Sequence, residues 1–119
     1  MAKRETPAFS KSPPSLVERF EAVLERYPQA ERRKMFGYPG AFVGGNLATS
    51  LFHDRWVIRL PPSEVQAAKD AGASAFEPMP GKPMNGFVLV PREDVEDDAR
   101  INGWVERGLA RAGSMPPKK

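Results

Sequence analysis

The stretch Arg32–Leu60 decides the fold of this chain: it reads RRKMFGYPGAFVGGNLATSLFHDRWVIRL. Short apolar and aromatic runs in it are separated by turns that contain glycine or aspartate. This pattern predicts a β-meander, in which each strand pairs with the next through a tight connection. We expect three strands, over residues 32–43, 46–52 and 55–60. A proline in the first strand predicts a kink at residues 37–40, with an edge position or a bulge there.

Alternation of side chains assigns the strand faces, because successive residues of a strand point to opposite sides of the sheet. In the last strand one face is apolar and can meet a core; it carries Trp56, Ile58 and Leu60. In the middle strand the same rule places on one face Leu47, Thr49 and Leu51. It places on the other face Ala48, Ser50 and Phe52.

Helical patterns flank the meander on both sides. Apolar residues recur at helical spacing over residues 13–27, with Ser12 as the predicted N-cap and Pro28 as the stop. A short helix is expected over residues 61–71, where prolines suit the first turn. A final helix is expected over residues 94–112, with Trp104 on its apolar stripe.

Two further strands are predicted between the last two helices, over residues 75–78 and 87–90. The order is then helix, three strands, helix, two strands, helix. Short connections favour an antiparallel sheet, and helices on one of its faces make a two-layer α+β sandwich. We expect a flexible arm over residues 1–12, one domain over 13–112 and a disordered tail over 113–119.

The composition fits a single domain, since 119 residues suit one core. The chain contains no cysteine, which excludes disulfides and thiolate metal sites and favours a reducing compartment. The N-terminus shows no signal peptide, and no apolar run is long enough to span a membrane. We therefore expect a cytoplasmic protein without a membrane partner.

The surplus of positive charge lies in the N-terminal part of the chain, up to the first residues of the meander. The formal net charge is +3, and residues 1–36 hold eight Lys and Arg against five Asp and Glu. The one basic run, Arg32, Arg33 and Lys34, is the candidate contact for nucleic acid or a partner. On a strand only Arg32 and Lys34 share a face, which limits phosphate contacts from this face to those two. The alternative interpretation is a solvated sheet edge, whose charges discourage aggregation between strands.

No residue pattern predicts catalysis. His53 is the only histidine, so it cannot supply the two or three imidazoles that usually hold a catalytic zinc ion. It lies beside Asp54 in a predicted turn, and a general base is its alternative role, but no triad accompanies it. Gly72–Phe76 half-matches the turn that carries a nucleophilic serine, yet it lacks the second glycine. A left-handed helix cap at Gly72 is the simpler interpretation.

Metal and cofactor sites are not predicted either. The acidic residues of 93–98 lack the spacing of a calcium loop and suit the positive end of a helix dipole instead. The glycines of 37–45 do not match a phosphate-binding loop. Residues 40–43 faintly resemble an RNA-recognition strand, but the aromatic residue expected two positions later is Gly45. Phe42 is therefore assigned to the core.

Several spaced motifs resemble the N-terminal domain of the TfoX/Sxy competence-regulator family. They are Lys34–Pro39, Phe42–Asn46, Trp56–Leu60, Phe76–Met79, Gly81–Met84 and Val90–Pro91. The resemblance covers residues 13–112, and it implies the element order given above and brings no catalytic residues. The chain departs from many members at residues 47–50. It is similar to a single-domain member, because the second domain of the longer regulators has no counterpart here.

The predicted function is a non-enzymatic regulatory or protein-binding module of the TfoX/Sxy N-terminal domain type. Its expected partner is another protein, it needs no cofactor, and it is a monomer or a homodimer. The alternative is an accessory nucleic-acid-binding protein that uses the basic N-terminal segment.

Overall fold

The computed structural model describes residues 12–35, 37–79 and 81–117. These residues form four helices and six strands. In chain order the elements are α1 (Pro14–Leu24), β1 (Glu31–Met35), β2 (Tyr38–Val43), β3 (Asn46–Phe52), β4 (Arg55–Arg59), α2 (Pro62–Asp70), β5 (Ser74–Ala75), β6 (Phe87–Leu89), α3 (Arg92–Val95) and α4 (Asp98–Ser114).

The strands form one antiparallel sheet in the order β1-β2-β3-β4-β6-β5. One face of the sheet shares a continuous buried core with the helices, which includes Phe20 of α1, Trp56 of β4 and Val105 of α4. Helix α4 packs against β3 and β4 at the middle of the sheet. The other face carries a smaller cluster around Val57 and Phe87. The predicted two-layer α+β sandwich with an antiparallel sheet is therefore confirmed.

The first predicted strand is in fact a hairpin of two strands. Met35 at the end of β1 pairs with Tyr38 at the start of β2, so the chain reverses direction between them. Gly37 in this turn has a φ of 85°, a left-handed conformation that glycine adopts without steric cost. The predicted order with three strands after the first helix is therefore wrong, because four strands stand there. Pairing of β2 with β3 begins at Gly40, so Pro39 precedes that ladder and removes no hydrogen bond from it.

A β-bulge in β3 reverses part of the predicted face assignment. Ala41 of β2 lies opposite Thr49, but the next residue, Phe42, lies opposite Leu47. Ala48 is thus an extra residue without a partner across the ladder. Ala48 is fully buried in the helix-side core, whereas Leu47 packs on the opposite face. The predicted faces were wrong for these two residues, and regular alternation resumes after the bulge.

Helix α1 is shorter than the predicted 13–27. Pro13, not Ser12, occupies the N-cap position, and no side chain caps the helix there. The buried Ser12 hydroxyl instead donates to the backbone carbonyl of His53 at 2.6 Å. Ser12 is therefore part of the fold. The predicted flexible arm otherwise falls on residues 1–11, which lie outside the described residues.

The predicted final helix is two helices, α3 and α4, joined at Asp97. The Asp97 carboxylate accepts a hydrogen bond from the backbone N–H of Arg100 at 3.0 Å and so caps α4. The strand predicted over 75–78 lies slightly earlier, as β5, and the strand predicted over 87–90 is confirmed as β6. None of the described helices combines the length and the apolar character that crossing a membrane requires.

The end of the ordered structure lies beyond the predicted domain boundary at Ala112. Helix α4 continues to Ser114, and the side-chain amide of Asn46 then donates to the carbonyl of Pro116 at 3.0 Å. The predicted boundary at Ala112 therefore falls inside α4, and the segment after the helix contacts β3 through Pro116. The last two predicted tail residues, 118–119, lie outside the described residues.

Candidate functional site

The sheet face that turns away from the helices carries a pocket, which we call the open-face pocket. Its volume is about 540 Å³, within the range of small-molecule binding sites. Residues of β1, β2, β3, β4 and β6 form its floor, and the segment between β5 and β6 forms one wall. The described residues that line it are Met35, Tyr38, Phe42, Gly45, Leu47, Ser50, Phe52, His53, Arg59, Phe76, Pro78, Met84 and Phe87.

Aromatic rings give the open-face pocket an apolar wall. The ring of Phe52 lies 5.3 Å from that of Tyr38 and 5.2 Å from that of Phe76. The ring of Phe76 in turn lies 6.2 Å from that of Phe87. These tilted and edge-on contacts are the preferred arrangements of packed aromatic side chains. Because the rings hold one another in place, the wall is formed without a ligand.

Tyr38 and His53 make the polar rim at one end of the open-face pocket. The Tyr38 hydroxyl lies 3.3 Å from Nδ1 of His53. His53 occupies the turn between β3 and β4 with a φ of 53°, which confirms its predicted turn position. The neighbouring Asp54 carboxylate accepts a hydrogen bond from Arg92 at 2.8 Å, and this bond lowers the Asp54 pKa. The Asp54 carboxylate, which is next to His53 in the sequence, therefore pairs with Arg92.

Arg59 supplies the charge at the opposite end of the open-face pocket. Its Nη1 donates to the carbonyl of Leu47 at 3.2 Å, and its Cζ lies 4.8 Å from the centre of the Phe87 ring. Burial, together with the positive charge of Arg111, lowers the pKa of Arg59, yet a guanidinium stays charged at neutral pH. Within the described part of the chain, Arg59 belongs to no ion pair. The pocket thus presents one arginine charge against apolar walls.

The candidate contact residues Arg32, Arg33 and Lys34 do not line the open-face pocket. They lie exposed on β1, which is an edge strand of the sheet. Arg32 forms an ion pair with Glu21 at 2.6 Å, and Arg33 lies over the ring of Phe42 at 4.5 Å. Their position agrees with the interpretation as a solvated edge. Contact with nucleic acid or a partner stays a prediction for these residues.

The remaining sequence candidates have structural roles. The buried Asp94 accepts a hydrogen bond from the Trp104 indole at 2.9 Å. This contact is additional to the helix-dipole interaction that the sequence predicted. Gly72 has a φ of 113° after α2, as predicted for a helix cap, and Ser74 lies in β5. Among the residues that the structure describes, no cluster of three or more His, Asp or Glu side chains suits a metal ion.

The open-face pocket was not predicted from the sequence, because its lining comes from five strands, two turns and the segment between β5 and β6. Phe42 was assigned to the core, but it is half-buried and lines the pocket. One signal was present in the pattern. Phe52 lies on the strand face away from the helices, and the outer face of an antiparallel sheet is normally polar. A bulky aromatic residue at such a position indicates a partly covered second face.

These features define the chain as an α+β sandwich with one helix-covered sheet face and one open face that holds an apolar pocket. The family model of the TfoX N-terminal domain matches residues 22–112. The chain belongs to this family, as its motifs predicted. All the residues that line the open-face pocket fall inside the matched range. No curated protein matches the chain.

Proposed function

We propose that this chain is a non-enzymatic regulatory module and that the open-face pocket is the site where it binds a ligand. The observation that carries the proposal is the pocket itself: about 540 Å³ of space between aromatic and aliphatic side chains on the sheet face that the helices do not cover. Membership of the TfoX N-terminal domain family supports the regulatory part.

The chemistry of the pocket supports binding rather than catalysis. Its titratable side chains are Tyr38, His53 and Arg59, and the last lies at the opposite end from the other two. A nucleophile held by a base, which is itself oriented by a third group, is the usual catalytic arrangement. Among the described lining residues such a set of three does not occur.

Binding is tested with N-phenyl-1-naphthylamine, a neutral fluorescent probe that brightens in apolar pockets. We expect a saturable rise in fluorescence with the unaltered chain. Ser50 lines the pocket and is only 5% exposed, so Ser50→Leu fills the space without touching the helix-side core. This change should weaken binding roughly tenfold, the equivalent of about 1.4 kcal/mol.

Ser50→Ala is the matched control, because it removes the hydroxyl and leaves the space. It should bind the probe as the unaltered chain does. Thermal melts of both variants check that the fold persists. Unsaturable fluorescence with the unaltered chain, or equal affinity in a folded Ser50→Leu variant, would overturn the proposal.

The regulatory output in this proposal is contact with another protein. Two methionines in the segment beside the pocket are the large exposed apolar side chains of the described residues: Met79 is 60% and Met84 is 41% exposed. Methionine is flexible and polarisable, and it is common on surfaces that adapt to a protein partner. Met84 also lines the pocket, so a bound ligand would touch the same side chain.

The protein contact is tested by placing a photo-crosslinking residue at Met84, with Glu106 on the exposed side of α4 as the control position. We expect a cross-linked second protein from Met84 alone, and its yield should change when the naphthylamine probe saturates the pocket. Equal cross-linking from both positions would contradict the proposal. A cross-linking yield from Met84 that is the same with and without the probe would also contradict it.

Nucleic-acid binding is the weaker candidate. Arg32 already pairs with Glu21, and Arg33 stacks on Phe42. Both interactions compete with phosphate, and phosphate contacts would have to supply most of the affinity. Duplex DNA binding tighter than about 1 μM near physiological salt would reverse this ranking, since non-specific affinities are typically weaker.

A further inference from the structure

We propose that the ligand of the open-face pocket is an amphipathic carboxylate, whose apolar body lies along β3 and whose carboxylate pairs with Arg59. The inference rests on the proposed function, because it assigns a ligand class to the same pocket. It requires an elongated apolar space, a cation at one end of it, and a reason for that cation to lack a partner within the protein.

The position of Arg59 supplies the cation. Its guanidinium is half-buried between Phe87 and the backbone of Leu47, and both residues line the pocket. A guanidinium carries five N–H donors, and the bond to the Leu47 carbonyl uses one of them. The remaining donors match the two oxygens of a carboxylate in the paired geometry that arginine favours.

The missing partner distinguishes Arg59 from six of the other described arginines, though Arg26, Arg55 and Arg111 also belong to no ion pair with a described residue. Arg19, Arg32, Arg33, Arg92, Arg100 and Arg107 each form an ion pair with a carboxylate. Arg59 forms none with any described residue, and the described lining of the pocket contains no Asp or Glu. A partly buried charge without a counter-ion is costly, and an anionic ligand removes that cost.

The field around Arg59 favours an anion as well. Arg111 of α4 lies near enough to lower the Arg59 pKa by charge repulsion. Arg111 does not line the pocket, but its positive charge adds to that of Arg59. A cationic ligand would meet repulsion here, and a neutral ligand would leave the arginine unpaired.

The length and the lining of the pocket determine where the apolar part of the ligand lies. Leu47 and Phe52 lie at its two ends along β3, and five residue steps of a strand span roughly 16 Å at most. Arg59 lies beside Leu47, whereas Tyr38 and His53 lie beside Phe52 at the other end. A carboxylate on Arg59 therefore places an alkyl chain or an aryl group against the rings of Phe52 and Phe76.

The test measures how well decanoate and 1-decanol displace N-phenyl-1-naphthylamine, with decanoate below its micelle concentration. The two displacers share an alkyl chain and differ in the charged head group. We expect the ratio of their inhibition constants to favour decanoate by roughly tenfold more in the unaltered chain than in Arg59→Gln, as for a hydrogen-bonded ion. Arg59→Lys keeps the charge and should retain part of the preference.

Saturable binding of the neutral naphthylamine probe checks that each variant keeps its fold and its pocket. Because Arg59 lines the pocket, its replacement can change the affinity for the probe. The ratio of the two inhibition constants cancels that change. Arg26→Gln is the control for net charge, since Arg26 is exposed after α1 and does not line the pocket. It should leave the decanoate preference unchanged.

The outcomes separate this inference from the proposed function. If the probe does not bind the unaltered chain, the proposed function fails. If the probe binds but the preference for decanoate is the same in Arg59→Gln, the pocket is real and the carboxylate assignment is wrong. Stronger displacement by decylamine than by decanoate would also overturn the assignment.

Discussion

Two tryptophans show how single residues stabilise this fold. Trp56 is fully buried, and its indole N–H donates to the Thr49 hydroxyl at 2.8 Å. Trp104 is 8% exposed, and its indole N–H donates to the Asp94 carboxylate at 2.9 Å. Each buried indole thus combines a large apolar area with a satisfied donor. Arg107 covers the Trp104 ring from the solvent side at 5.0 Å.

We expect Trp104→Ala to be among the most destabilising single substitutions, with a loss of about 3–5 kcal/mol in the free energy of unfolding. The change leaves a cavity and removes the donor from Asp94. Trp104→Phe keeps most of the apolar area and loses only the hydrogen bond, so its cost should be smaller, about 1–3 kcal/mol. Denaturant unfolding measures both. A loss under about 1 kcal/mol for Trp104→Ala would contradict the burial described.

Sequence periodicity predicted which way these residues face, but not their polar partners. Trp56 and Trp104 were expected to face the core from strand alternation and from the helical stripe, and both do. Asp94 looked like one of several acids at the start of a helix. Its bond to Trp104 joins residues ten positions apart across two helices, which no local pattern contains.

At the scale of elements, α4 approaches the sheet closely because Gly108 lies at the contact. A Cβ added at Gly108 would lie 2.6 Å from the carbonyl oxygen of Ala48. Ala48 is the extra residue of the β3 bulge, so the bulge and the glycine of the helix meet at one point. Gly103 in the same helix faces open space, with no atom within 4 Å of an added Cβ.

These two glycines provide a matched pair of substitutions. Gly108→Ala should destabilise the domain by about 1–3 kcal/mol, because the helix or the bulge must move to admit a methyl group. Gly103→Ala should stabilise it by up to about 1 kcal/mol through helix propensity alone. Thermal or denaturant unfolding of both variants gives the comparison. Equal effects of the two substitutions would show that α4 does not rest on Ala48 as described.

The element predictions failed where the backbone departs from regular geometry. Residues 32–43 were interpreted as one kinked strand, because Gly37 does not stand in one of the dipeptides that mark a two-residue hairpin turn. The bulge at Ala48 left no signal in the sequence, since alanine suits either face of a strand. The strand predicted over 87–90 is regular and was predicted correctly. For 46–52 the bounds were predicted correctly, but the faces before the bulge were not.

At the scale of the whole molecule, the C-terminal segment docks onto the turn between β2 and β3. The Asn46 side chain, 1% exposed, donates to the Pro116 carbonyl, and an added Cβ at Gly44 would contact Pro117 at 3.7 Å. The sequence predicted a disordered tail over residues 113–119. Their low apolar content supported that prediction, but a buried amide donor needs an acceptor, and the tail supplies one.

Truncation after Met115 should therefore lower the free energy of unfolding by about 1–3 kcal/mol, the cost of leaving a buried polar group without its partner. Asn46→Ala removes the other member of the hydrogen bond. If the two act through the same contact, their effects in the combined variant should fall short of additive. Strict additivity, or an unchanged melting temperature after truncation, would contradict the docking.

The open-face pocket also belongs to the whole molecule, and for that reason the sequence did not reveal it. Sequence patterns predicted the sandwich, since each amphipathic element requires a core. They could not predict that the second sheet face is also partly covered, because the segment of 76–86 reads only as a proline- and glycine-rich loop. The role of Arg59 depends on which carboxylates reach it, and that is a property of the folded chain.

The most direct test of binding at the open-face pocket is an amide chemical-shift titration of the ¹⁵N-labelled chain with decanoate. We predict saturable shifts at the residues that line the pocket, above all Leu47, Ser50, Arg59 and Phe87. Residues on the helix-covered side, such as Phe20 and Val105, should not shift. Shifts centred on β1 or on the helices, or no saturable shifts, would contradict the claim that the open face of this TfoX N-terminal domain is its ligand site.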